Sequence, residues 1–167
     1  MSIANALLAE LEQESLTTRR VLERVPQSRL SWKPHTKSMS LGQLALHIAT
    51  VPGNVAELAV QDTIPAPPAF LQAEAATAAE LVPALTASVA KAKQHLGGMD
   101  DARMAATWRL MNEGREILAM PRASLLRAIM LNHWYHHRGQ LLVYLRLLDL
   151  PVPSVYGPTA DENPFAG

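Results

Sequence analysis

The sequence predicts an all-α protein, a four-helix bundle with one small β-hairpin before the last helix. Apolar residues recur at steps of three and four over four long segments, as on one face of an amphipathic helix. The apolar share of 49% is mostly Leu, Ala, Val and Met, and only 5% of the residues are aromatic. Proline, glycine and capping residues separate the segments. We expect the 167 residues to form one domain, residues 1–167.

The first two helices carry clear start and stop signals. The first is predicted over residues 2–24, because Val25-Pro26 ends its pattern. Ser40 is a favourable N-cap for the second helix, and Gln43 at the third helical position completes a capping-box pattern. Pro52-Gly53 lies inside the second apolar pattern, so a kink or a break is predicted there.

The third helix is predicted to follow a proline-rich loop. Residues 62–74 contain three prolines and are expected to form that loop. Thr77–Glu80 has the pattern of a second capping box, and the helix then runs to about His95, with Gly97-Gly98 as its stop. Pro83 fits this helix only if the helix starts late or bends at that point.

A hairpin and a long helix complete the prediction. Apolar residues flank the turn Asn112–Arg115, which indicates a short hairpin over residues 108–120. Such a hairpin is marginally stable unless it packs on the helices. The last helix opens within Met120–Ser124 and extends to about Asp149. Four amphipathic helices joined in this way form a bundle, whose core is also where facing helices build metal sites.

Composition and charge exclude several classes of function. The 15 basic and 15 acidic residues give a formal net charge of zero, so no basic excess is present to bind nucleic-acid phosphates. The absence of cysteine excludes disulfides, a cysteine nucleophile and thiolate ligands. The start of the chain lacks the pattern of a signal peptide, and no apolar run is long enough to span a membrane. We therefore expect a cytoplasmic protein.

The segment Asn132–Gln140 of the last predicted helix says most about function. His133 and His137 are four positions apart, so their imidazoles project from the same face of the helix. A helix supplies two nitrogen ligands to a metal ion in this way. His47 lies on a similar apolar face of the second helix. If the two helices pack together, we expect His47, His133 and His137 to bind one ion.

Three further residues are candidates for a substrate pocket, namely His136, Gln140 and Tyr144. Gln140 and Tyr144 continue the face that carries His137, and polar groups on a core-facing stripe are costly unless something satisfies them. His136 lies at the edge of this face and is the alternative ligand, because its spacing from His133 also suits a helix. The other two histidines, at positions 35 and 95, are interpreted as ordinary loop and helix-end residues.

A site made of three imidazoles leaves coordination positions open, which favours catalysis or substrate binding over a purely structural role. Such a ligand set suits zinc, nickel, copper or iron. The chain has no Gly-x-Ser-x-Gly turn and no Gly-rich phosphate loop. Three hypotheses follow: a metal-dependent enzyme, a non-catalytic metal- or ligand-binding bundle, and a structural protein with a buried histidine cluster.

The chain resembles the DinB-like family of small bacterial four-helix proteins, which includes the DinB/maleylpyruvate-isomerase-like type. The resemblance is carried by Leu46–Ala49, by the motif Asn132–Gln140 and by the tail Pro151–Pro158. It implies a four-helix bundle, often dimeric, with metal-binding histidines that match His47, His133 and His137. It also implies zinc or nickel as the usual ion.

Some members of that family are transferases or isomerases that use a low-molecular-weight thiol, such as bacillithiol or mycothiol, held as a thiolate on the metal. The resemblance therefore implies a thiol-dependent S-transferase activity on a small electrophile. The alternatives are a metal-dependent hydrolase and a stress-related binding protein without catalysis. The expected partners are a small-molecule substrate and a second copy of the chain, with Trp134, Arg138 and the first helix as a candidate dimer face. Neither nucleic acid nor membrane is expected as a partner. Arg138 is expected to be a salt-bridge or interface residue and not a catalytic one.

Overall fold

The structure is a computed structural model that describes residues 1–67 and 72–166. Its helices are α1 (Ile3–Leu22), α2 (Leu41–Val60), α3 (Leu81–Leu96), α4 (Asp101–Ala105), α5 (Arg122–Leu125) and α6 (His133–Leu147). Its strands are β1 (Thr63–Pro65), β2 (Thr107–Asn112) and β3 (Arg115–Pro121). A π-helical segment, Leu126–Asn132, joins α5 to α6, so the last helix of the bundle runs without interruption from Arg122 to Leu147. Two short 3₁₀ turns, Gln27–Arg29 and Ala78–Glu80, precede α2 and α3.

The predicted fold class, a mostly helical protein with four long helices, is confirmed. Helix α2 packs along α3 and against the last helix, and α1 packs against α3. The core between them consists of aliphatic side chains from all four helices, for example Leu11, Leu44, Leu96 and Leu141. Burial of these side chains removes apolar surface from water and is the main force that holds the helices together. Among the residues described, no helix has both the length and the apolar composition to cross a bilayer.

Several of the predicted helix boundaries are confirmed. Ser40 caps α2, since its hydroxyl accepts from the amide of Gln43 at 3.1 Å and the Gln43 side chain accepts from the Ser40 amide at 2.9 Å. Helix α3 starts late, so that Pro83 is its third residue and its missing N–H has no intrahelical role to lose. The capping box predicted at Thr77 is wrong, because the Thr77 side chain makes no capping bond and the residues after it form a 3₁₀ turn.

A kink or a break was predicted at Pro52-Gly53, and α2 passes through Pro52 without a break. Proline has no N–H, so the carbonyl of Ile48 lacks its helical partner. The indole nitrogen of Trp134 donates to that carbonyl at 2.8 Å. At Gly53, an added Cβ would lie 2.8 Å from the backbone oxygen of Ser88, so glycine permits the close approach of α3. The last helix therefore compensates for Pro52, and Gly53 gives α3 the room to pack closely against α2.

The predicted hairpin is confirmed, and the structure adds a third strand to it. Strands β2 and β3 pair antiparallel around Glu113 and Gly114, whose φ values of 48° and 81° produce the tight turn. Strand β1 pairs parallel with β2, from Thr63 opposite Arg109. The prediction of a loop over residues 62–74 is therefore wrong for residues 63–65 and falls partly outside the described residues, at 68–71.

The sheet is fixed to the end of α2 by polar contacts. The indole nitrogen of Trp108 donates to the Leu58 carbonyl at 3.2 Å. The fully buried guanidinium of Arg122 donates to the carbonyls of Ala59, Gln61 and Arg103 and to the carboxylate of Asp62. Because these acceptors lie at the C-terminus of α2, before β1 and in α4, one side chain of the last helix is bonded to all three places.

Candidate metal centre

Three histidines from two different helices meet in the structure. His47 comes from α2, and His133 and His137 come from α6. Their ring centroids are 5.2 Å apart for His47 and His133, 4.7 Å for His47 and His137, and 4.4 Å for His133 and His137. One nitrogen from each ring lies within 4.8 Å of the others. The convergence of His47, His133 and His137 expected from the sequence is therefore present, and the three could hold a metal ion.

The packing of α2 against α6 accounts for this convergence. Trp134 follows His133 directly, and its hydrogen bond to the carbonyl of Ile48 reaches the residue after His47. This hydrogen bond joins the residue after His133 to the residue after His47, and so it holds the two helices together at the level of the cluster. Because Trp134 is fully buried, this contact is shielded from water.

The hydrogen bonds of His137 favour a tautomer that suits a metal ligand. Its Nδ1 lies 2.7 Å from Oε1 of Gln140. An amide oxygen is only an acceptor, so Nδ1 carries the proton and Nε2 presents a lone pair. That Nε2 lies 2.8 Å from Nε2 of His133, also inside the cluster. Gln140 therefore fixes the orientation of His137, as polar partners behind metal-binding histidines commonly do.

Burial keeps the three imidazoles neutral at neutral pH. Desolvation first, and then the imidazoles of His137 and His133, lower the pKa of His47 from 6.5 to about 4. Desolvation is also the main cause that lowers the pKa of His133 and of His137. A neutral imidazole is the form that binds a metal ion. The electrostatics of the cluster therefore agree with the donor set.

The cluster has hydrogen-bonding capacity that the protein itself does not use. Nδ1 of His133 is buried beside the carbonyl of Ile129 but makes no hydrogen bond of ordinary geometry within the described residues. The nitrogen of His133 that faces His137 is Nε2, so an ion among the three histidines would bind Nε2 and leave Nδ1 to donate to the Ile129 carbonyl, as the second ring nitrogen of a metal-binding histidine commonly does. Three neutral imidazoles with converging nitrogens form a donor set that fits zinc or nickel and leaves positions for another ligand.

The other histidines lie apart from this cluster. His136 is exposed and its ring stands 5.1 Å from that of His137, at the edge of the face, so the alternative in which it replaces His137 is not what the structure shows. His35 lies in the loop before α2, where its Nδ1 accepts from the Lys37 amide. His95 lies in the last turn of α3.

A cavity of about 670 Å³ adjoins the three histidines. Helix α2 lines it with one continuous stripe, of which Val51, Val55 and Leu58 are members. The sheet contributes Trp108 and other apolar side chains. Among the described residues, the lining contains no Asp, Glu, Lys or Arg, and apart from the histidines its polar side chains are Asn54 and Gln72. The histidines are thus the groups in this cavity that can hold an ion or transfer a proton.

The three residues considered for a substrate pocket lie around the site. None of His136, Gln140 and Tyr144 is among the described residues that line the cavity. Gln140 acts behind His137, and the Tyr144 hydroxyl donates to the carbonyl of Met39, a lining residue, at 3.3 Å. Their contact with a substrate stays a prediction. The contribution of the sheet to the cavity wall was not predicted, because no local pattern in the hairpin sequence indicates which part of the protein the hairpin covers.

Arg138 and the tail form a second polar cluster on the other side of α6. The salt bridge predicted for Arg138 is present, with Glu14 of α1 at 2.6 Å. The same guanidinium donates to the hydroxyls of Thr18 and Tyr156. Arg138 and Trp134 are both buried inside the chain, so the prediction that they form part of an exposed dimer face is wrong. A homodimer that forms through another surface stays a prediction.

Comparisons with known proteins identify relatives of this chain in sequence and in fold. A segment of 43 residues is 46% identical to uncharacterized protein YrdA of Bacillus subtilis (strain 168), and it spans 26% of this chain and about a quarter, 25%, of that relative. A DinB-like protein of Bacillus cereus ATCC 10987 has a similar fold, with a TM-score of 0.66 and 23% identity over 91% of this chain and 97% of the other.

Two further solved structures are similar over almost the whole chain. A DinB-like protein of Bacillus subtilis has a TM-score of 0.67 and 20% identity over 95% of this chain and 99% of the other. A putative member of the DinB family from Exiguobacterium sibiricum 255-15 has a TM-score of 0.57 and 20% identity, covering 96% and 97% of the two chains. At such low identity the solved structures support the fold alone. The sequence model of the DinB family matches residues 1–164, so the chain belongs to the DinB family.

Proposed function

We propose that this protein is a divalent-metal-dependent enzyme whose ion is held by His47, His133 and His137. The observation that carries the proposal is the position of three neutral, converging imidazoles at the wall of an apolar cavity. Zinc and nickel suit such a donor set, and three protein ligands leave room for a substrate or cosubstrate. A divalent ion bound there would lower the pKa of a thiol or a water molecule and so supply a nucleophile near neutral pH.

The reaction that we propose is a thiol-dependent S-transfer to a small electrophile. The sulfur of a low-molecular-weight thiol, for instance bacillithiol or mycothiol, forms a bond to an electrophilic carbon, the bond to the leaving group breaks with its electron pair, and the thiol proton passes to solvent. The apolar lining around Val51 and Val55 would bind the electrophile. Apart from the histidines, the described lining holds no ionisable side chain that could activate a water molecule, which favours thiol transfer over hydrolysis.

Two other functions stay as alternatives. A hydrolase would use water in place of the thiol at the same histidines. A binding protein would hold the metal and a small ligand without turnover. The histidine cluster supports all three functions equally, and the apolar character of the cavity favours the transferase over the hydrolase.

Metal analysis of untagged protein tests the proposal. We expect about one zinc or nickel ion per chain, and we expect His133→Ala to lose it because the variant removes a ligand. His136→Ala is the matched control, since His136 is a neighbouring but exposed histidine of the same helix. Absence of metal, together with unchanged thermal stability when zinc or nickel is added, would contradict the proposal.

An activity assay separates the three functions. The metal-loaded protein is mixed with a model electrophile such as monobromobimane, with and without added thiol, and in parallel with an activated ester. Conjugation that requires both the thiol and His133 supports the transferase. Ester hydrolysis without thiol indicates the hydrolase, and metal binding with neither reaction indicates the binding protein.

A further inference from the structure

The cavity beside the histidines extends along α2. Its α2 wall runs from His47 to Leu58, eleven positions later, which is about 16 Å along the helix axis at 1.5 Å per residue. The stripe between them is one helical face, made up of Val51, Asn54 and Val55. At the far end, Leu58 adjoins the sheet, because its carbonyl accepts from the indole of Trp108.

The walls differ in character along this length. The histidines occupy one end of the α2 wall, and from Val51 onward most of the lining is aliphatic or aromatic, including Leu110, Leu118 and Ile129. Several of these side chains are unusually exposed for their type: Leu58 and Ile129 are each 39% exposed, and Leu118 is 38% exposed. Apolar side chains that line a cavity and remain exposed offer surface that a ligand can bury.

We propose that the cavity binds an elongated, uncharged apolar molecule whose polar or reactive end lies at the histidines. Its hydrocarbon part would lie along Val51, Val55 and Leu58 and end against the sheet. A charged tail is disfavoured, because no ionised side chain among the described lining residues would compensate its loss of hydration. The inference rests on the proposed function, since it names the class of substrate that the histidine site would receive.

Direct binding tests this inference without any catalytic step. The uncharged dye N-phenyl-1-naphthylamine is bound to the protein as purified and is displaced by primary alcohols of increasing chain length, from butanol to hexadecanol. Each methylene that enters the cavity should strengthen displacement roughly three- to fourfold. We expect this gain to level off when the chain fills the length of about 16 Å between the histidines and the sheet.

Two valines provide a matched pair of variants. Val55→Asp places a carboxylate on the cavity wall and should weaken displacement by long alcohols by about tenfold or more, because a charge must be buried or hydrated there. Val143→Asp makes the same change on α6 at a residue that is 57% exposed and should leave displacement unchanged. If Val55→Asp does not fold, Val55→Phe replaces it and should shorten the chain length at which affinity levels off.

The metal content of the same samples separates this inference from the proposed function. Weaker displacement by long alcohols in Val55→Asp, or a plateau at a shorter chain in Val55→Phe, supports the inference, whether or not the protein holds metal. A flat response to chain length, or equal behaviour of the Val55 and Val143 variants, overturns it even when about one ion per chain is bound. Chain-length dependence in a protein that takes up no metal supports the apolar site and contradicts the metal-dependent function.

Discussion

The hydrogen bond between Trp134 and the Ile48 carbonyl exists because Pro52 cannot donate to that carbonyl, and this dependence gives a quantitative prediction. Trp134→Phe removes the indole N–H and leaves the buried carbonyl without a partner, since the bond is 2.8 Å long and Trp134 is fully buried. An unsatisfied buried acceptor costs about 1–3 kcal/mol. The smaller ring adds a cavity cost of about 1–2 kcal/mol, so we expect a total loss of roughly 2–5 kcal/mol.

A second substitution isolates the hydrogen-bond part of that loss. Pro52→Ala restores an N–H at the position that normally bonds to the Ile48 carbonyl in an α-helix. In the Pro52→Ala background, Trp134→Phe should cost only the cavity term, and the coupling between the two sites should be about 1–3 kcal/mol. Urea denaturation of the four proteins, all metal-free, measures it. Equal losses in both backgrounds would refute the reasoning, because the carbonyl would then not depend on the indole.

Three further predictions concern other groups in the structure. Arg122→Ala should lower the free energy of unfolding by about 2–4 kcal/mol, because it strands buried carbonyls at the end of α2, and Arg122→Lys should recover less than half of this loss in the same denaturation assay. Metal-free protein should lose stability as the pH falls from 6.5 to about 4, because His47 binds a proton in the unfolded chain over this interval but not in the folded one. The free energy of unfolding of His47→Gln should depend less on pH over this interval, and an unchanged dependence would contradict the prediction. Tyr156→Phe should cost about 1 kcal/mol, since the Tyr156 hydroxyl accepts from Arg138 and donates to Glu14. Thermal denaturation of Tyr156→Phe, Glu14→Gln and the double variant tests this, and the double variant should lose less stability than the sum of the two single losses.

Much of the site was predictable because helical spacing fixes which side chains share a face. The separation of His133 and His137 by four positions determines that they project together once the segment is helical, and the apolar pattern around them predicts the helix. The structure nevertheless contains a π-helical segment just before His133, which the spacing did not indicate. Because that segment ends at Asn132, the spacing of the two histidines within α6 is unaffected.

Features that depend on contacts between distant segments were predicted less well. A proline inside α2 predicts a kink or a break from local chemistry alone, and α2 continues because Trp134, far along the chain, donates to the freed carbonyl. Strand β1 has two of three residues of types that suit a strand, yet its proline-rich surroundings indicate a loop, and only pairing with β2 makes it a strand. Arg138 was expected at a surface, and its ion pair with Glu14 allows it to be buried.

The sequence by itself determined the helical class, the positions of the four long helices, the hairpin and the identity of the three histidines, because each follows from periodicity, capping and spacing within about twenty residues. Tertiary packing decided the rest. It brought His47 to the other two histidines, lowered their pKa values by burial, and formed an apolar cavity from α2, the sheet and the last helix. These properties arise where segments far apart in the chain exclude water from one another, and no single segment encodes that exclusion.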